Sequence, residues 1–285
     1  MMHELSLPAP AKLNLFLHIT GRRADGYHTL QTVFQFIDQA DELHFSLRDD
    51  GDITLSPGIP GVASADNLIV RAARALQAAS GCRLGADIRL DKRLPMGGGL
   101  GGGSSDAATT LLALNTLWQT GLDEEALASL GLRLGADVPV FIRGHAAWAE
   151  GVGEALQAVD LPEPWYVVLC PDAHIATAAA FAHPELTRNT TAITLRAFFA
   201  GAGHNDFEPV VRQLSPAVDA AMSWLAQHGP ARMTGTGACL FLACPSRDAA
   251  ADILAASPVS GFICRGLNRS PAHSALDRLL RPHRI

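Results

Sequence analysis

One stretch constrains this chain more than any other. Pro95 and Met96 open a run in which six of seven residues are glycine, broken only by Leu100; Ser104, Ser105 and Asp106 then lead into an apolar segment with Ala107, Ala108, Leu111, Leu112 and Leu114. Upstream, residues 86–94 alternate apolar and polar side chains as a strand does. The order is therefore strand, glycine loop, helix. Glycine lets a backbone approach an anion closely, and a helix start offers unpaired N–H groups and the positive end of a dipole. The natural reading is a phosphate site. A flexible linker explains the run less well, because linkers rarely open on proline and lead straight into an amphipathic helix that two serines can cap.

Neither common phosphate motif fits. Gly97-x-Gly99-x-x-Gly102 meets the dinucleotide pattern only because nearly every position is glycine, and the acidic residues further on, Asp123 and Glu124, open a helix instead of ending a strand. A Walker loop needs a lysine after its glycines, and none follows here.

Composition narrows the class. The 285 residues are 48% hydrophobic and 18% charged, a balance of folded proteins, and at this length two domains are expected. A net charge of −6 provides no field for polyanions, so nucleic acid is disfavoured and phosphate must be held by local devices. No stretch approaches the ~20 apolar residues of a membrane span, and no basic leader precedes an apolar run, so a cytoplasmic protein that meets no membrane is expected. The five cysteines, Cys82, Cys170, Cys239, Cys244 and Cys264, show neither an even count nor C-x-x-C spacing, and read as reduced core residues.

Along the chain, residues 11–19 alternate, with Ala11, Leu13, Leu15, Leu17 and Ile19 on one face and Lys12, Asn14, Phe16 and His18 on the other, as in a half-buried strand. Asp25-Gly26 marks a turn, and residues 33–37, 42–47 and 53–55 read as further strands. Asp66 can cap a helix through Leu68, Ile69, Ala72, Ala73 and Leu76. A helix over residues 123–134 is expected to end at Gly135 as a glycine cap, and residues 138–142 and 146–149 read as strands. Leu161-Pro-Glu-Pro164 is the expected linker. Beyond it, strands at 166–170, 240–244 and 262–265 alternate with helices at 207–214, 216–228 and 247–255, a small α+β layer.

Three ordered segments carry a resemblance to the GHMP kinase superfamily, which includes galactokinase and the homoserine, mevalonate and phosphomevalonate kinases. Pro10-Ala-Lys-Leu-Asn-Leu15 resembles its N-terminal motif. Pro95-Met-Gly-Gly-Gly-Leu-Gly-Gly-Gly-Ser-Ser-Asp-Ala-Ala108 resembles its phosphate loop, and Thr234-Gly-Thr-Gly-Ala-Cys239 its C-terminal glycine turn. Within the superfamily, Ala24-Asp-Gly-Tyr-His-Thr-Leu-Gln31 and Leu134-Gly-Ala-Asp-Val-Pro-Val-Phe141, with Asp66-Asn-Leu68 and Gly144-His-Ala-Ala147, resemble the branch whose acceptor is a cytidine diphosphate-linked methylerythritol of the non-mevalonate isoprenoid route. The resemblance implies an α+β fold of two-domain GHMP kinase architecture. A ribosomal protein S5 domain 2-like ATP-binding domain is expected over 1–163 and a ferredoxin-like domain over 164–285, with the active site between them. It implies a monomer or weak homodimer that uses ATP and Mg2+ to phosphorylate the 2-hydroxyl of that small-molecule substrate. Another kinase of the superfamily, of homoserine or mevalonate type, a catalytically silent nucleotide-binding protein and a structural interaction module are the alternatives. Tyr27-His28 and Asp137 after Leu-Gly-Ala disfavour the other kinases, and Lys12 with Asp137 disfavours a silent protein.

The resemblance also implies roles. Phosphoryl transfer needs alignment, charge neutralisation and a place for the hydroxyl proton. Asp137 takes the role of base and Lys12 that of the cation beside it, holding the carboxylate ionised; outside the motif they read as a turn residue and a solvated strand residue. Pro95, Met96, Gly97, Gly98, Gly99, Leu100, Gly101, Gly102, Gly103, Ser104 and Ser105 form the ATP loop. The two serines serve equally as helix caps or as hydroxyls toward phosphate or magnesium, and the metal ligands stay unassigned. Asn67, Leu68 and Lys92 fit an adenine pocket or a cap and a surface residue. Asn14, Tyr27, His28, Thr177 and Phe181 fall on the substrate side, with Tyr27 and Phe181 stacking on the pyrimidine and His28 reading its edge. Thr177-Ala-Ala-Ala-Phe181 lacks the proline the family carries after the threonine. The Gly235-Thr-Gly237 turn is expected to buttress the phosphate loop.

Overall fold

In a computed structural model the protein is described over residues 3–24 and 26–280. Two long antiparallel strands, β1 (Glu4–Arg22) and β2 (His28–Arg48), form its spine. The expected break within β2, between 37 and 42, does not occur, because residues 38–41 contain neither glycine nor proline and the strand runs through them. The turn between β1 and β2 closes through Arg23 N–H to Tyr27 O (2.7 Å); Asp25 lies outside the described residues. Around the spine lie β3 (Ile53–Ser56), β4 (Gly85–Asp91), β5 (Ala147–Glu150) and β6 (Ala155–Ala158).

β1 is not half-buried. Lys12, Asn14, Phe16 and His18, the face expected to be polar and solvated, are each at most 2% exposed. The glycine loop and the segment around His204 cover that face: Lys12 N–H donates to Leu100 O at 3.0 Å and Leu17 N–H to His204 O at 2.9 Å. Register shifts between Pro10 and Lys12 and between Ile19 and Gly21 bracket the covered stretch, and a third falls within it between Asn14 and Leu17. Such irregularities re-aim side chains beside functional sites.

Against the sheet pack α1 (Leu68–Ser80), α2 (Gly102–Leu117), α3 (Glu124–Leu132) and α4 (Val138–Arg143), enclosing Leu7, Phe36, Phe45, Ile88, Leu76 and Leu111. Three local expectations change here. Asn67, not Asp66, caps α1, its side chain accepting the Ile69 N–H at 2.9 Å. α3 stops at Leu132, and Gly135 is not left-handed but donates to Gly131 O at 3.0 Å. The apolar run 138–142 is helix instead of strand: Pro139 suits the first helical turn, and a run buried all round has no periodicity to distinguish the two.

The second part comprises β7 (Trp165–Leu169), α5 (Thr177–Ala182), α6 (Leu195–Phe199), α7 (Glu208–Leu214), α8 (Pro216–Leu225), β8 (Arg232–Met233), β9 (Leu240–Cys244), α9 (Arg247–Ala256), β10 (Gly261–Leu267) and α10 (Pro271–Leu280). Its strands run in the order β10-β7-β9-β8, and β10 also pairs with β2 through Gly266 opposite Ile37 and Leu267 opposite Phe36. The sheet is thus continuous from β3 to β8. The 161–164 segment is pinned rather than loose: Leu161 N–H donates to Asn268 Oδ1 at 2.8 Å and Gln35 Nε2 to Pro162 O at 2.8 Å. A separate core of Val167, Leu169, Phe207, Val211, Met222 and Leu240 fills this part. Among the described residues no helix is long and apolar enough to cross a membrane.

Candidate active site

The glycine loop turns three times in a conformation that L side chains avoid, with φ +70° at Gly97, +74° at Gly99 and +73° at Gly101. Gly101 is also the N-cap of α2, and no side chain caps that helix. Ser104 and Ser105 therefore lie inside its first turn and are not its caps, a correction to the expectation. The first N–H groups of α2 are left for a ligand. Gly99 has a second reason to be glycine: a Cβ there would stand 2.1 Å from Thr234 O and 3.2 Å from Gly237 O. The loop thus lies directly on the Thr234–Gly237 turn, and Cys239 N–H bonds Gly98 O at 3.1 Å.

Gly97, Gly99, Gly101 and Ser104 line one wall of a cleft of about 1230 Å³, large enough for two ligands together. Lys12 reaches the centre of this wall from β1. Its ammonium donates to Gly99 O at 3.0 Å and Asn14 Oδ1 at 2.5 Å, and lies 3.3 Å from Asp137 Oδ2. The lysine side chain is 3% exposed and the carboxylate 33%, so the cation is locked while the carboxylate faces the cleft. Asn14 is held in turn by Thr234 Oγ1, which accepts its N–H at 3.0 Å, and by Thr32 Oγ1, which accepts from Nδ2 at 3.0 Å. The short helix α4 begins immediately after Asp137, which places the carboxylate opposite the loop.

At another end of the same cleft are Tyr27, His28, Thr177 and Phe181. His28 stacks on Phe181 with centroids 5.0 Å apart and planes at 22°, and Phe181 rests edge-on against Phe207 at 4.8 Å. Tyr27 is 67% exposed at the turn. His28 Nε2 is buried with no hydrogen-bond partner among the described residues. Burial, with help from Arg188 and Arg22, holds its imidazole below the ordinary value, so the ring is neutral near neutral pH. Thr177 and Thr236 share a hydrogen bond at 3.2 Å between their hydroxyls, joining α5 to the glycine turn.

Asn67, Leu68 and Lys92 do not line this cleft. They sit by the other side of the loop: a Cβ on Gly103 would lie 3.5 Å from Leu68 Cδ1, and one on Gly102 would lie 3.2 Å from Lys92 Nζ. Lys92 bridges Asp41 (2.5 Å) and Asp106 (2.9 Å). Burial opposes its charge, but the two carboxylates outweigh that and raise its pKa. Burial pushes the Asp106 carboxyl up to about 7, against the pull of Lys92 and with the help of Asp41. Met96 is exposed, Pro95 half-buried, and Gly98, Leu100 and Ser105 are covered.

Residue-level reading missed Thr32, Thr234 as an Asn14 partner, and Asn205. The Asn205 amide donates to Met233 O and Gly235 O, both at 2.8 Å, and its Oδ1 accepts Phe207 N–H at 2.9 Å. It fastens the glycine turn and the floor under Phe181 at once. No local pattern marks such a residue, because its partners are distant in sequence.

Residues 67–145 match the GHMP kinases N terminal domain and residues 185–257 the GHMP kinases C terminal domain. A protein of Chromohalobacter salexigens named 4-diphosphocytidyl-2-C-methyl-D-erythritol kinase is 60% identical over 283 residues, covering 96% of this chain and 95% of that one. The chain belongs to this kinase family. A family member from Thiobacillus denitrificans is 58% identical over 270 residues, 94% of this chain and 97% of its own. A crystal structure of a 4-(cytidine 5'-diphospho)-2C-methyl-D-erythritol kinase superposes with a TM-score of 0.79 at 32% identity, over 92% of this chain and 99% of that one. Homoserine kinase from Cytophaga hutchinsonii shares the fold alone, with a TM-score of 0.69 at 18% identity over 95% of this chain and 96% of its own. The family's two-domain α+β architecture is therefore the architecture of this chain.

Proposed function

We propose that the chain transfers the γ-phosphoryl group of ATP to the 2-hydroxyl of 4-diphosphocytidyl-2-C-methyl-D-erythritol, giving ADP and the 2-phosphate, a step of non-mevalonate isoprenoid synthesis. The observation that carries the reading is the Lys12–Asp137 pair, 3.3 Å apart on the wall of the one cleft that also holds the glycine loop and the Tyr27, His28 and Phe181 rings. Asp137 accepts the hydroxyl proton as the oxygen attacks phosphorus in line. Lys12, fixed by Asn14 and Gly99 O, neutralises charge on the equatorial oxygens, and the α2 N–H groups hold the phosphates. Tyr27 and Phe181 receive the pyrimidine, and the unpartnered His28 Nε2 is a ready contact for its edge. Asn67, Leu68 and Lys92 attend the adenosine side of the loop.

No group of three or more His, Cys, Asp or Glu side chains able to hold a metal occurs among the described residues. Ser104, which lines the cleft, would offer its hydroxyl to a magnesium ion bound with ATP, an ion that prefers oxygen ligands and keeps several waters. When bound it screens the charge of the phosphates. In this reading residues 1–163 bind ATP and residues 164–285 form the second domain.

The test is ADP release by the purified protein with ATP and magnesium, comparing the cytidine compound with methylerythritol phosphate, homoserine and mevalonate. Turnover of the cytidine compound alone supports the reading; turnover of another acceptor would overturn the substrate, and silence with all four the kinase.

A further inference from the structure

Cys170 follows β7 and Cys239 precedes β9. These strands are antiparallel with Leu169 opposite Leu240, so the next pair outward is Cys170 and Cys239, and their sulfurs lie 3.7 Å apart as free thiols. Residues directly opposite in an antiparallel pair have Cα atoms about 4.5–5.5 Å apart, inside the range of about 4.4–6.8 Å that a disulfide spans. Cys170 is partly exposed and Cys239 is buried. The other side of Cys239 touches the phosphate loop: a Cβ on Gly98 would stand 2.5 Å from its Sγ, and its N–H holds Gly98 O at 3.1 Å.

We propose that Cys170 and Cys239 form an oxidisable dithiol that takes a low-molecular-weight disulfide as oxidant and, once closed, loosens the phosphate loop. The Cys170 thiolate attacks one sulfur of the reagent, whose S–S bond breaks and releases one thiolate. Cys239 then gives up its proton and attacks the Cys170 sulfur of the mixed disulfide, releasing the second thiol. The chain loses two electrons and two protons, and the reagent gains both as two thiols. The order of attack follows from access and from the hydrogen bond between the two: Cys239 donates to Cys170, which lowers the Cys170 pKa, whereas that bond and burial raise Cys239. Closure from 3.7 Å to the about 2.05 Å of a disulfide draws the Cys239 sulfur off Gly98, which has no side chain to fill the space. The consequence for ATP rests on the reading of the loop given above; the disulfide chemistry does not.

The full chain is treated with oxidised glutathione, then mapped by intact and peptide mass, by amide exchange across residues 95–104, and by KM for ATP. The expected result is loss of two hydrogens, a Cys170–Cys239 cross-linked peptide, faster loop exchange and a KM for ATP raised at least about fivefold, all reversed by dithiothreitol. Cys170→Ser keeps the reduced activity and blocks every change. Absence of the cross-link, a cross-link between other cysteines, or a closed pair with unaltered loop exchange and KM would overturn the proposal. Failure of the kinase reading is seen separately, as no ADP release from the reduced protein, while mass and exchange still score the dithiol.

Discussion

Replacing Gly99 by alanine separates backbone strain from loop docking, because Gly121 provides a control. Both glycines are left-handed, at φ +74° and +71°, so either alanine costs about 1–2 kcal/mol in conformation. At Gly121 nothing lies within 4 Å of the new Cβ, whereas at Gly99 it would stand 2.1 Å from Thr234 O, and ordinary contact begins near 3.4 Å. The loop must back away by roughly 1 Å. That breaks the bonds Gly99 O accepts from Lys12 Nζ (3.0 Å) and Thr234 Oγ1 (3.1 Å). A charged bond contributes about 1.5–3 kcal/mol and a neutral one about 0.5–1.5, so Gly99→Ala should cost about 2–4 kcal/mol beyond Gly121→Ala. With about 2–4 °C of Tm per kcal/mol, the control should melt a few degrees low and Gly99→Ala roughly 4–16 °C lower still. If the loop instead detaches without unfolding, the loss appears in turnover, about a hundredfold for a displacement of this size. Thermal unfolding and steady-state ADP release together score both routes. Equal melting and equal turnover in the two variants would refute the argument that the loop is held by close approach to the Thr234 turn.

Asp137→Asn and Lys12→Ala should retain ATP-dependent thermal stabilisation yet lose at least about a hundredfold in kcat; near-normal turnover in either removes its role. Tyr27→Ala and Phe181→Ala should raise KM for the cytidine substrate and leave KM for ATP unchanged, checked by varying each substrate in turn. Asn205→Ala leaves Met233 O and Gly235 O unpaired in the interior and should destabilise by about 1–3 kcal/mol, measured by denaturant unfolding. Burial is the largest cause holding His18 and His273 below 6.5, so the unfolded chain binds more protons in the window below that value. Stability should therefore rise with pH through that window and be lost as the solution is acidified from 6.5 down through it; His273→Gln should flatten the slope of Tm against pH, and an unchanged slope counts against the histidine account.

Much of the site was legible because its chemistry is local. The glycine run, Lys12 and Asp137 each sit in a short motif, and a strand, a loop and a helix start are properties of neighbouring residues. The errors share a cause as well. Residues 138–142 form a fully buried apolar run, in which strand and helix look alike. Ser104 and Ser105 have the chemistry of caps, but Gly101 takes the cap position because the chain must turn left-handed there. Of the two readings open for Lys92, the fold excludes a free surface side chain by setting it between Asp41 and Asp106.

By itself the sequence determined the strand, glycine loop and helix around residues 86–114 and the short motifs that carry Lys12 and Asp137, since each depends on residue type and near neighbours. Tertiary structure decided what those residues face. It buried both sides of β1, brought Thr234 beneath Gly99, joined β10 to β2, and set His28 on Phe181, because these contacts join residues far apart in the chain whose proximity no local pattern encodes.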